Sequence, residues 1–197
     1  MFRRSFALIG AVAVAAALSA PVLGASVRIR VEGRTRTIFG QTGPRITAAD
    51  TLKALDVASR RGEFYYHVTQ TSYGPYVDQI GRYKAFGSSG WTYKVNGVSP
   101  PVGADKYVLK DGDRVLWYWA FFGLHGGPPT LVLKRTRHGC YRVFSQDDQG
   151  RTTRARGAAL RVDGRKIRTK EGRACIGSHR GLVKAFKHGS VRSNALR

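Results

Sequence analysis

The stretch Ser26-Val27-Arg28-Ile29-Arg30-Val31-Glu32-Gly33 alternates apolar and charged side chains with a period of two. That is the pattern of a half-buried β-strand, with Val27, Ile29 and Val31 on one face and the arginines on the other. After Glu32-Gly33 the alternation resumes from Arg34 to Phe39, which predicts a hairpin.

Outward from this hairpin the period changes. Thr47 stands three residues before Asp50 in a capping-box-like arrangement, and Ala48, Leu52, Leu55 and Ala58 then share one helical face before Arg60-Arg61-Gly62 closes it. A helix packed on the sheet is predicted. Phe64 to Thr71 carries strand formers, Tyr73-Gly74-Pro75-Tyr76 reads as a turn, and Val77 to Ile80 as a short element. Beyond the Gly87-Ser88-Ser89-Gly90 loop, Trp91 to Val95 runs into Asn96-Gly97, a hairpin-turn signal. Tyr107-Val108-Leu109, a turn at Asp111-Gly112-Asp113 and an apolar strand from Val115 to Phe122 complete this region.

Residues 123–129 have no periodicity and read as a linker. From Thr130 onward only short strands are predicted, separated by glycine turns at sandwich-like spacing: Leu131 to Lys134, Tyr141 to Ser145, Ala159 to Val162, Ala174 to Ile176, Leu182 to Phe186 and Val191 to Leu196. The 24 glycines and 11% aromatic residues also suit short strands better than long helices.

The run from Ser26 to Phe122 resembles the transcobalamin-like C-terminal domain family. The likeness is carried by Val27-Arg28-Ile29-Arg30-Val31-Glu32-Gly33, Thr51-Leu52-Lys53-Ala54-Leu55, Thr71 to Ile80, Ser89-Gly90-Trp91-Thr92-Tyr93-Lys94-Val95-Asn96-Gly97 and Leu109-Lys110-Asp111-Gly112-Asp113-Arg114-Val115-Leu116-Trp117. The resemblance implies a β-grasp-like fold that also forms the smaller lobe of vitamin B12 carriers. In those carriers a separate helical barrel holds the other side of the corrinoid, and this strand-rich chain contains none. The tail resembles bacterial immunoglobulin-like or carboxypeptidase-regulatory-like β-sandwiches through Gly157 to Gly164 and Thr169 to Ala174. The expected architecture is an α+β β-grasp-like domain followed by a small all-β sandwich, with boundaries at 1–25 (signal peptide), 26–122, 123–129 (linker) and 130–197.

Arg3 and Arg4 precede an apolar run from Phe6 to Leu23 and the small residues Gly24 and Ala25, the layout of a secretory signal. Export through the cell membrane is expected, and no stable transmembrane anchor remains if the signal is cleaved. Cys140 and Cys175 are the two cysteines, and an oxidising compartment would pair them.

Basic residues outnumber acidic ones 34 to 12, for a net charge of +22. The tail after residue 129 carries 18 basic and 4 acidic residues, against 14 and 8 between 26 and 129. Such an excess favours an anionic partner, with attraction that falls steeply with salt. Arg151, Arg154 and Arg156 are the candidate polyanion-binding residues. No helix-turn-helix or zinc-finger spacing appears, and an exported protein rarely meets nucleic acid, so nucleic acid is set aside.

Aromatic residues gather around the glycine-rich loops, where flat rings offer contact area at small entropic cost. Tyr73, Tyr76, Tyr83, Trp91 and Tyr93 are therefore candidates for binding a flat small molecule, and a corrinoid is the ligand that the resemblance implies. The five histidines are scattered, with no metal-ligand spacing, and neither a nucleophile with a base nor a phosphate-cradling motif is apparent. No metal site, cofactor or enzymatic activity is expected. The reading is an exported, non-enzymatic binding protein for a flat small molecule. The alternative is a cell-envelope protein, structural or interacting, held to anionic polymers by its basic sandwich, and a protein partner fits either.

Overall fold

A computed structural model describes residues 24–124 and 126–197. The expected export segment lies outside them apart from Gly24 and Ala25. The opening alternation forms β1 (Ala25–Glu32), which turns back antiparallel into β2 (Thr37–Phe39). Next come β3 (Arg45–Ala48), antiparallel to the first half of β1, and helix α1 (Thr51–Gly62). Thr47, expected at the helix start, is a β3 residue paired with Ser26. Ala48 is likewise in the strand, and the cap is Asp50, whose carboxylate accepts the Lys53 N–H at 2.7 Å. The helix buries Ala54, Leu55 and Ala58 against the sheet.

A small antiparallel sheet follows: β4 (Tyr66–Thr71), β5 (Gly74–Ile80) and β6 (Tyr83–Lys84). Gly74, Pro75 and Tyr76 belong to β5, so the turn sits at Ser72-Tyr73, two residues earlier than expected. Two longer strands, β7 (Ser89–Val95) and β8 (Arg114–Phe121), then pair antiparallel. β8 lies parallel to β1, giving the order β2-β1-β8-β7 with β3 also on β1.

Asn96 and Gly97 adopt positive φ values of 53° and 89°, as a tight turn requires, yet no return strand follows. The chain instead makes an excursion pinned to the core. Tyr93 Oη donates to the Val102 carbonyl at 2.8 Å, and the Leu109 N–H to that of Ala49 at 2.9 Å. Tyr107-Val108-Leu109 contributes a bridge between Val108 and Asp50.

The remainder is all strand and turn: β9 (Thr130–Arg137), β10 (Cys140–Gln146), β11 (Thr152–Arg154), β12 (Ala159–Val162), β13 (Arg165–Arg168), β14 (Arg173–Cys175), β15 (Val183–Phe186) and β16 (Ala195–Leu196). One sheet gathers β9, β10, β11 and β14 around β10, and the other has the order β13-β12-β15-β16. Strands β11 and β13 escape sequence reading because Thr-Thr-Arg and Arg-Lys-Ile-Arg carry no apolar alternation. Of the expected strand Val191 to Leu196, Val191 makes an isolated parallel bridge to Thr130, and the last two residues pair with Lys184 and Val183.

Two hydrophobic cores result. The first joins Val27, Ile29 and Val31 of β1 to Leu55, Ile80, Trp91 and Trp117. The second lies between the two later sheets, with Leu133 and Val143 facing Leu160 and Val183. Each such side chain contributes about 1.5–3 kcal/mol on burial. Tyr118 and Ala120, from the opposite face of β8, pack with Val191 and join the two halves. The protein is thus mostly β, in several sheets, with one helix among the described residues.

Candidate functional site

Strand parity decides what the first sheet shows to the second half. With Val27, Ile29 and Val31 committed to the helix side, Arg28, Arg30 and Glu32 point the other way, towards the sandwich. Parallel pairing places Arg114 of β8 beside Arg28 on that same face. On β7 the same parity sends Lys94 to this face, where it is wholly buried.

The two halves are joined there by ionic contacts. The buried Glu32 carboxylate accepts bonds from Lys184 Nζ at 2.7 Å, Arg192 Nε at 2.9 Å, Arg30 Nη1 at 3.3 Å and Thr37 Oγ1 at 3.1 Å. Arg192 also donates to the Gly33 and Arg34 carbonyls, and Lys184 to Thr37. Lys94 Nζ bonds the Asp147 carbonyl at 2.9 Å and pairs with Asp148 at 3.1 Å. Burial lowers the pKa of both lysines, that of Lys184 to about 8, because an ammonium loses hydration there.

Beside these contacts lies a cleft of about 440 Å³. Arg28, Arg30 and Arg114 form its floor, and Lys134, Phe144 and Gln146 a wall, with no carboxylate among the lining residues. A second hollow of about 450 Å³ continues across the outer face of β10 and β14, lined by Arg142, Arg154, Lys170 and Arg173 with the single acid Glu171. Phe144 lines both. In register, Arg142 stands directly opposite Lys134 on one side and Arg173 on the other, so three cations form a row across three strands. Like charges directly opposite each other are destabilising, and a bound anion would relieve them. In the next row Phe144 lies between Val132 and Arg154, with Lys134 Nζ 5.4 Å from its ring centre.

The aromatic candidates do not share one open face. Tyr73 stands alone at the β4–β5 turn, 98% exposed. The Tyr76 hydroxyl sits over the α-carbon of Gly90, leaving no space for a Cβ there. Trp91 and Tyr93 are core residues, a correction of their placement in an open site: both point to the helix side with Val95, and both spend their polar atoms on carbonyls, of Tyr83 and Val102 respectively. Burial raises the Tyr93 pKa to about 12. Tyr83 is half-buried in a cluster with Trp91, Trp119 and the exposed Phe86.

Of the basic candidates, Arg151 pairs with Asp147 and Arg156 with Glu171, both at 2.7 Å, while Arg154 joins the Phe144 row. The arginines of the cleft floor went unrecognised because strand alternation reads as core against solvent, whereas the polar face here meets a second unit. Lys134, Arg142 and Arg173 become neighbours only through register. Cys140 and Cys175, directly opposite on β10 and β14, form a disulfide, as expected of a protein that folds in an oxidising compartment.

Among the described residues no group of three or more His, Cys, Asp or Glu side chains gathers as metal ligands do, and no helix is long and apolar enough to cross a membrane. His67 pairs with Asp78 at 2.7 Å, and His179 Nε2 meets the Tyr141 hydroxyl at 2.6 Å.

Residues 47–120 match a family described as a domain of unknown function, DUF4430. That span runs from the end of β3 to β8 and leaves out β1 and the sandwich. Among solved structures, the chain is similar to a candidate metal-binding protein of Ruminococcus gnavus ATCC 29149, at 15% identity over 48% of this chain and 95% of that one, with a TM-score of 0.37. No curated protein matches.

Proposed function

We propose that this is an exported, non-enzymatic protein that binds an anionic polysaccharide along the basic cleft and the adjoining face of the sandwich. One observation carries the reading: the cleft is lined by Arg28, Arg30, Arg114 and Lys134 without a carboxylate, and it runs past Phe144 into the row Lys134–Arg142–Arg173. Neighbouring strands lie about 4.8 Å apart, so the row presents charge over roughly 10 Å, a span suited to successive charged groups of a chain molecule. A concave groove with a central ring favours a polymer strand over a flat lipid surface. On this reading the first unit is a transcobalamin-like β-grasp scaffold that supplies the cleft floor, and the signal-like segment and disulfide fit an extracellular or envelope setting.

Titration calorimetry with polygalacturonate, against uncharged dextran of equal length, tests it. Binding of the acidic chain alone is expected, weakening as salt rises, because exposed charge pairs are screened beyond about 10 Å at 0.1 M salt. Charge reversal in Arg142→Glu with Arg173→Glu should lower affinity at least tenfold, while Tyr73→Ala leaves it unchanged. Equal binding of dextran, or indifference to both reversals, overturns the reading. Loss of cyanocobalamin binding in Tyr73→Ala would instead restore the flat-ligand reading.

A further inference from the structure

The cluster at the junction of the two halves holds one carboxylate, Glu32, against three cations, Arg30, Lys184 and Arg192, with side-chain exposures of 0, 12, 9 and 12%. Arg161 on β12 stands directly opposite Lys184, adding a further positive group to that face. Buried charge is costly unless paired, and Glu32 is the one carboxylate in ion-pair contact with these three cations among the described residues. The excess has an outlet, because Arg30 also lines the cleft. Its protein hydrogen bonds, to Glu32 and to the Arg192 carbonyl, both run through Nη1, leaving Nε and Nη2 without a protein partner among the described residues. Arg28 and Arg114 stand side by side on the same floor.

We propose that the cleft floor is a subsite for one doubly charged oxyanion, a phosphate monoester, seated on Arg30 with Arg28 and Arg114. This rests on the anionic-ligand reading above and names the charged group that the cleft selects. Two charges match the two cations that Glu32 leaves uncompensated. A phosphate monoester is doubly charged above about pH 7, and its three terminal oxygens accept bonds from forked guanidinium groups as a single carboxylate cannot. Its arrival is coupled to a proton. Lys184 faces Glu32 and Arg30 from β1, Thr37 from β2, Arg192 from the segment before β16 and Arg161 from β12. An added dianion raises its proton affinity, so binding draws a proton from solvent onto Nζ.

The test is calorimetric titration of the full chain with glycerol 3-phosphate, acetate and polygalacturonate at pH 7 and 9. Saturable binding of glycerol 3-phosphate is expected, at least tenfold tighter than acetate. If the anion raises Lys184's proton affinity tenfold, binding at pH 9 is about fivefold weaker than at pH 7, and Lys184→Met abolishes that difference. Arg28→Gln and Arg114→Gln, both at exposed residues outside the buried cluster, should each weaken glycerol 3-phosphate binding without unfolding the chain. Equal binding of acetate, or wild-type affinity in the Arg28→Gln, Arg114→Gln double variant, overturns the subsite. Polygalacturonate bound without glycerol 3-phosphate refutes the subsite alone. Binding of neither refutes the anionic-ligand reading with it.

Discussion

Glu32 and Lys184, 152 positions apart in the chain, form an ion pair 2.7 Å long in which the carboxylate is wholly buried. The pair holds the first sheet to the second sheet of the sandwich, and its neighbour Arg30 lines the basic cleft.

Removing the carboxylate should therefore be more harmful than its single charge suggests. Glu32→Gln leaves three cations with no anion, and an uncompensated buried charge costs about 3–5 kcal/mol. Urea unfolding should show that loss, and adding Lys184→Met to the Gln variant should recover part of it. Additive losses in the double variant would show that the two residues act independently.

The Lys184 pKa, lowered by burial to about 8 from 10.5, makes a signed prediction about pH. Between these values the unfolded chain carries the proton and the folded one does not, so this residue's contribution to stability rises with pH across that window. Below pH 8 both states are protonated and the burial penalty is felt in full. Measured as wild type minus Lys184→Met, the unfolding free energy should climb by on the order of 2 kcal/mol from pH 7.5 to 10. A flat difference would contradict the burial of its ammonium.

The Cys140–Cys175 bridge closes an interval of 35 residues, for which the chain-entropy treatment gives about 4 kcal/mol. The Cys140→Ala, Cys175→Ala pair should unfold at correspondingly lower denaturant. Alkylation of the native protein without reductant should add no mass, and two added labels would show free thiols.

Helix α1 ends on Glu63, a side-chain-bearing residue held in the left-handed region at φ 49°, whose N–H bonds the Ser59 carbonyl. Glycine occupies that conformation without steric cost. Glu63→Gly should accordingly stabilise the protein by about 1 kcal/mol, read as a higher melting temperature. A lower one would mean that the Glu63 side chain contributes more than its backbone strain costs.

Much of the local structure was legible in the sequence because it answers to short-range rules. The period of two in Val27-Arg28-Ile29-Arg30-Val31 gave β1, the apolar face of Leu55 and Ala58 gave α1, and the glycine-separated runs after Thr130 gave most of the sandwich. Errors fell where a local signal had a tertiary answer. Asn96-Gly97 makes its turn, yet the partner of β7 is β8, reached only after an excursion that the core holds in place. Thr47 resembles a cap but is taken by pairing with β1.

The same division holds for the candidate site. The excess of basic over acidic residues, its concentration after residue 129 and the cysteine pair are properties of composition, and the sequence by itself determined them along with the alternation of β1. Which cations meet was decided only by the tertiary structure. Strand alternation specifies that Arg28, Arg30 and Glu32 share a face but not what that face meets, since solvent and a second sheet impose the same period. Parallel pairing set Arg114 beside Arg28, and register placed Lys134, Arg142 and Arg173 in one row. Docking then buried Glu32 among residues from the far end of the chain. These are long-range contacts, and no local pattern encodes which distant strand supplies the neighbour.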